Sequence, residues 1–130
     1  MFTLKLMPRF AETDALGHIN NTVLPVWFEQ ARTPIFKFFT PSLDVNNWQL
    51  ILAKIEVEFV AEIFYGSEVE IRTSVEKVGT SSILIYQEVW QGSKQVVKGK
   101  ATMVHFDHQK KKSKPIPNKI KALLNEHLSA

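Results

Sequence analysis

Apolar residues recur along this chain in two rhythms. Leu24, Trp27, Phe28, Ala31, Ile35 and Phe38 fall three and four apart, which paints one face of a helix. From Lys54 the period drops to two, as in Lys54-Ile55-Glu56-Val57-Glu58-Phe59, with charges on one face and apolar groups on the other. Glu68 to Arg72, Ser82 to Trp90 and Gln95 to Phe106 repeat that alternation, so four half-buried strands are expected after the helix. Residues 2–10 read as a short strand before it, residues 11–21 as a polar loop, and Asn118 to Leu128 as a modest helix beyond Pro115 and Pro117.

Breakers refine the picture. Pro25 is tolerable only in a first turn, which places the helix start near Thr22, whose hydroxyl is the candidate cap. Pro34 removes a backbone bond inside the stripe, so a kink or restart is expected there. Short turns at Tyr65-Gly66-Ser67, Val78-Gly79-Thr80 and Gln91-Gly92-Ser93 predict an antiparallel meander of all four strands. Gly99 and Ala101 share one face of the last strand, where small side chains let a helix lie close. The expected architecture is α+β in two layers, with the helix in the concave side of the sheet.

Composition narrows the function classes. One domain over residues 1–130 is expected, since 130 residues with 45% hydrophobic content suffice for a single core. A net charge of +3 is no nucleic-acid signature, and cysteine is absent, which excludes disulfides, thiolate chemistry and sulfur-based zinc sites. No secretory signal and no membrane-spanning apolar run is visible, so the cytoplasm is the expected location, with no membrane partner. The histidines form no compact metal set, with His105 and His108 only a faint pair.

The stretch Glu12-Thr13-Asp14-Ala15-Leu16-Gly17-His18-Ile19-Asn20-Asn21, followed by Trp27-Phe28-Glu29-Gln30-Ala31-Arg32, resembles the signature of the 4-hydroxybenzoyl-CoA thioesterase-like hotdog family. That resemblance implies a curved five-stranded antiparallel sheet wrapped around one long helix, with a short C-terminal helix added. It also implies an acyl-CoA substrate, no cofactor, and homo-oligomers, either a dimer paired through the sheets or a tetramer of dimers, with active sites at the dimer interface. Many relatives carry an aromatic residue at the position of Leu24, so the acyl pocket of this chain is expected to differ.

Thioester hydrolysis needs an activated nucleophile and a site for the charge developing on the carbonyl oxygen. Asp14 is the candidate for the first, either attacking the carbonyl or drawing a proton from water; the same residue also suits an Asx-turn. Backbone N–H groups around Val23 and Leu24 are the candidate oxyanion donors. His18 is a candidate to orient water or substrate, and Asn20 and Asn21 to shape the loop, cap the helix or touch substrate. Glu29 and Arg32, three apart, read as a helical ion pair. For the pantetheine and phosphates the candidates are Lys77 with the turn Thr80, Ser81 and Ser82, and more weakly Lys110 to Lys112. Two other readings stand beside hydrolysis: a non-catalytic acyl-CoA-binding dimer, and a hotdog dehydratase, whose usual His-based motifs are not visible here.

Overall fold

The stripe beginning at Leu24 becomes two helices rather than one. In the computed structural model, which describes residues 1–129, α1 spans Leu24–Ala31 and α2 spans Thr33–Phe39. Arg32 joins them, and Pro34 lies in the first turn of α2, where its missing N–H costs nothing; this is the restart expected at that proline. Ahead of α1 a 3₁₀ turn runs over Asn21–Val23. Its cap is Asn20, whose Oδ1 accepts from the Thr22 N–H at 3.0 Å. The Thr22 hydroxyl, expected to cap, instead donates to Asn20 Oδ1 at 2.9 Å.

Strands β1 (Phe2–Leu6), β2 (Leu50–Phe59), β3 (Val69–Val78), β4 (Ser82–Gln91) and β5 (Lys94–Asp107) form an antiparallel sheet in the order β1-β3-β4-β5-β2. A two-residue β6 (Lys112–Ser113) pairs with the end of β5. The meander expected of four strands holds only for β3, β4 and β5. β2 lies against β5 instead, with Ile55 opposite Ala101 and Val57 opposite Gly99. The physical reason is the link 60–68, too long for a tight hairpin. It crosses one end of the sheet, where Val60 and Ala61 N–H both bond to Val96 O.

Both helices lie in the concave face. Leu24, Trp27, Phe28, Ala31, Ile35 and Phe39 are buried there against β3, β4 and β5. Gly99 permits the approach as expected: a Cβ on it would sit 2.9 Å from the Phe28 ring and 2.9 Å from Glu56 O. A curled antiparallel sheet around a central helical segment is the hotdog fold. Phe39 is buried and Phe36 meets Trp48 edge-on at 5.2 Å, so the loop after α2 covers these aromatics without a second subunit. The last helix, α3 (Asn118–Asn125), ends short of the expected Leu128, and the tail then runs along β3, with Val75 N bonded to His127 O at 2.8 Å. Among the described residues no helix is long and apolar enough to cross a membrane.

Candidate active site

The polar loop before α1 is ordered by its own chemistry. Thr13 bridges to Ile19, Asp14 N bonds to His18 O at 2.7 Å, and Gly17 takes a positive φ of 81° that closes the turn. Beneath it Glu12 is buried at 7% exposure. Its carboxylate accepts from the indole of Trp27 at 2.9 Å and from Arg9 N at 2.7 Å, so the loop is bolted to α1. Burial pushes the Glu12 carboxyl up, but the bonds from Arg9 and Trp27 outweigh it and hold the group below its usual range.

Asp14 sits at the top of this loop, half-buried. Its Oδ1 accepts from Leu16 N at 2.8 Å and from His18 N at 3.1 Å, an Asx-type arrangement. Among the described residues, Oδ2 has no hydrogen-bond partner. The Asx-turn and the reactive group are therefore compatible: one oxygen anchors the side chain and the other is left free.

A cleft of about 400 Å³ opens beside Asp14, lined by His18, Asn21, Leu24, Phe59 and Val60 among others. His18 turns its Nε2 to Glu62 at 3.2 Å and packs edge-on against Phe64, which ties the loop to the 60–68 crossing. Asn20 is occupied in capping. The Val23 and Leu24 N–H groups, expected to hold an oxyanion, are bonded to Asn20 O and Asn21 O, because the entry is a tight 3₁₀ turn rather than a free α-helical end. Among the described residues the N–H of Asn21 has no partner at this entry, and Asn21 is one of the residues that line the cleft.

Lys77, Thr80, Ser81 and Ser82 are not near Asp14 within one chain. They form the β3–β4 turn at the start of β4, whereas the Asp14 loop adjoins the far end of that strand through Phe64 and Gln91. Ten residues of strand separate the two ends, roughly 30 Å. Two carbonyls of the turn are engaged by the C-terminal half: His105 N bonds to Ser81 O and Ile116 N to Thr80 O. The Lys110 to Lys112 run lies at this same end, in the β5–β6 turn. His105 is buried between Pro115 O at 3.0 Å and Gln49 Oε1 at 3.1 Å, while His108 packs on Phe106, so the two do not face one another as ligands.

Glu29 and Arg32 do not form the expected ion pair. Glu29 is exposed, while Arg32 is drawn under α1, where its Nη1 donates to Gln87 Oε1 at 3.2 Å. Burial works against the charge on Arg32, and the Glu29 carboxylate supports it from a distance. The residues missed from sequence are Glu12, Glu62 and Gln87. Gln87 was detectable, since it shares strand parity with Ile83, Ile85 and Val89 and so had to point into the core.

Known proteins share this fold. A family model described as Thioesterase-like superfamily matches residues 8–124. Among solved structures, a predicted thioesterase from Bacillus stearothermophilus is 41% identical with a TM-score of 0.96, covering 98% of this chain and 96% of that one. A thioesterase from Thermus thermophilus, complexed with coenzyme A and Zn, is 25% identical with a TM-score of 0.85, covering 96% of this chain and 92% of that one. The uncharacterized protein YsmA of Bacillus subtilis (strain 168) is 27% identical over 85 residues, 65% of this chain and 58% of YsmA, so the chain spans less than two thirds of that relative. A match that runs from residue 8 to residue 124 makes this chain a member of the Thioesterase-like superfamily.

Proposed function

We propose that the protein hydrolyses acyl-CoA thioesters of the 4-hydroxybenzoyl-CoA thioesterase-like kind, with Asp14 as the reacting carboxylate. The observation that carries this reading is the half-anchored carboxylate: Oδ1 is fixed by two backbone N–H groups and Oδ2 is unpartnered among the described residues, beside a cleft that Asn21 also lines. A thioester carbonyl seated there meets a donor for its oxygen on one side and an acceptor or nucleophile on the other. Asp14 either attacks the carbonyl carbon, expelling the CoA thiolate and leaving an anhydride for water to open, or takes a proton from the attacking water. His18, held by Glu62, positions the loop. The acyl group enters the apolar side of the cleft past Leu24 and Phe59.

The same reading calls for a second copy of the chain. β2 is a free edge carrying exposed Leu52, Ile55 and Phe59, a surface suited to pairing. Antiparallel pairing of two β2 edges brings the Thr80–Ser82 turn, Lys77 and the lysine run of one copy toward Asp14 of the other, where CoA phosphates need cations. The Thermus thermophilus protein complexed with coenzyme A supports this class of ligand.

The test is thiol release from a panel of aliphatic and aromatic acyl-CoAs. Asn at position 14 keeps an Oδ1 for Leu16 and His18 but has no carboxylate, so Asp14→Asn is expected to stay folded and lose about 10³-fold or more in kcat. Unchanged turnover removes Asp14 from the chemistry. Tight acyl-CoA binding by the native protein without thiol release makes it a binder instead, and a capped thiol with an altered acyl chain makes it a dehydratase.

A further inference from the structure

The groove between α1 and β2 contains a charge that thioester hydrolysis does not by itself require. Arg32 is only 3% exposed, yet it lines a cavity of about 140 Å³ together with Phe28 and Glu29 from α1, Ile55, Glu56 and Val57 from β2, and Lys100 from β5. Its Nη1 donates to Gln87 Oε1, and its Nε is buried with no partner. Gln87 is itself locked, because its Nε2 donates to Phe28 O at 2.9 Å and to Thr73 Oγ1 at 3.0 Å. The amide therefore holds the guanidinium in place without neutralising it.

No carboxylate of the described residues pairs with Arg32. Glu29 also lines the cavity but is exposed to solvent and supports the Arg32 charge only from a distance, Glu56 is paired with Lys54 at 2.9 Å, and the nearby Lys100 with Glu76 at 3.1 Å. A cation so enclosed is costly unless an anion meets it. The cavity shares no lining residue with the Asp14 cleft but neighbours it along the same two elements: Leu24 and Phe59 line the cleft, and Phe28 and Val57, one turn along α1 and two residues along β2, line the cavity. From Asn21 to Arg32 the helical rise, shortened by the backward lean of the arginine side chain, amounts to roughly 10–12 Å. The cavity volume is comparable to one that holds a single benzene, so it takes a short terminal group rather than a long tail.

We propose that the acyl group of the substrate carries a carboxylate at its far end, and that this carboxylate docks on Arg32 in the cavity between α1 and β2. This assignment rests on thioester hydrolysis at Asp14. It makes Arg32 a specificity-determining residue, matched by a charge-assisted bond that a methyl-terminated chain cannot form.

Matched pairs of equal carbon count test it: adipoyl-CoA against hexanoyl-CoA, and glutaryl-CoA against pentanoyl-CoA. The native protein is expected to favour the carboxylated member by about 10-fold or more in kcat/KM, and Arg32→Met to abolish or reverse that ratio. The native comparison stands even where Arg32→Met fails to fold. Equal or better turnover of the methyl-terminated member overturns the Arg32 assignment and leaves the hydrolase reading intact. Silence on all four thioesters counts against hydrolysis, and calorimetric titration of the native protein then decides the Arg32 site separately. Hexanoate binding more tightly than the uncharged hexanamide supports it; equal affinity or no binding overturns it.

Discussion

The two edges of the sheet are built in opposite ways. β1 is five residues long, shows Thr3 and Lys5 to solvent, and has Phe2 stacked on His127 at 4.0 Å, so the C-terminal tail helps close that side. β2 is ten residues long, and its concave-side residues Leu52, Ile55 and Phe59 are 45%, 43% and 50% exposed. A short, lysine-bearing edge ends a sheet; a long apolar one continues it. The catalytic candidates belong to the second side, beside Phe59 and the crossing segment, which is the side where the proposed partner would pair.

Breaking that comparison gives the largest expected effect. Ile55→Glu places a charge in the middle of the open edge and should convert a dimer to a monomer in sedimentation equilibrium, with thioester turnover falling about 10-fold or more as the partner's turn is lost. Lys5→Glu on the closed edge should change neither the mass nor the turnover. A native protein that already sediments as a monomer, or an Ile55→Glu variant that keeps the native mass, removes the distinction between the edges.

The next effect sharpens the seating of α1 beside β2. Gly99→Ala introduces a Cβ 2.9 Å from the Phe28 ring and from Glu56 O, and is expected to destabilise the fold by about 1–3 kcal/mol, read from the urea midpoint. Smaller again is the response to acid of the open side, where His105 on β5 faces Leu50 of β2. Burial holds the His105 imidazole below its usual value, against the raising effect of its bond to Pro115 O. A histidine depressed in the folded state contributes stability that is complete above the unfolded pKa, near 6.5, and is lost as pH falls through the folded value. The Tm should therefore drop by about 2–5 °C between pH 7.5 and pH 5, with part of that drop absent in His105→Gln.

Much of this was legible in the residues. The two apolar rhythms gave helix and strands because burial on one face imposes a period, and Pro34 gave the helix break because a missing N–H is a local fact. Gly99 was legible for the same reason, since a small residue on an inward strand position signals close approach. Strand order was not: β2 pairs with β5 rather than β3, and alternation says which face a residue takes but not which neighbour it meets. At the site, Asp14 came from the motif, whereas the state of the Val23 and Leu24 N–H groups depends on whether the entry turn closes at three residues or four. The distance between Asp14 and the Thr80–Ser82 turn is a tertiary fact with no local signature.

The crossing of residues 60–68 also bears on the order of assembly. β3, β4 and β5 pair as sequence neighbours through short turns, but β2 must wait for β5, with Leu50 meeting His105 and Phe59 meeting Val97. Loop closure disfavours such distant pairings early, so the three-strand meander is the expected nucleus and β2 the late addition. Substitutions along β2 should then accelerate unfolding while leaving the folding limb of a chevron almost unmoved. The strand that offers the apolar edge is thus the one exposed longest on a newly made chain, and under the proposed pairing a partner captured at that edge would complete folding as well as the site.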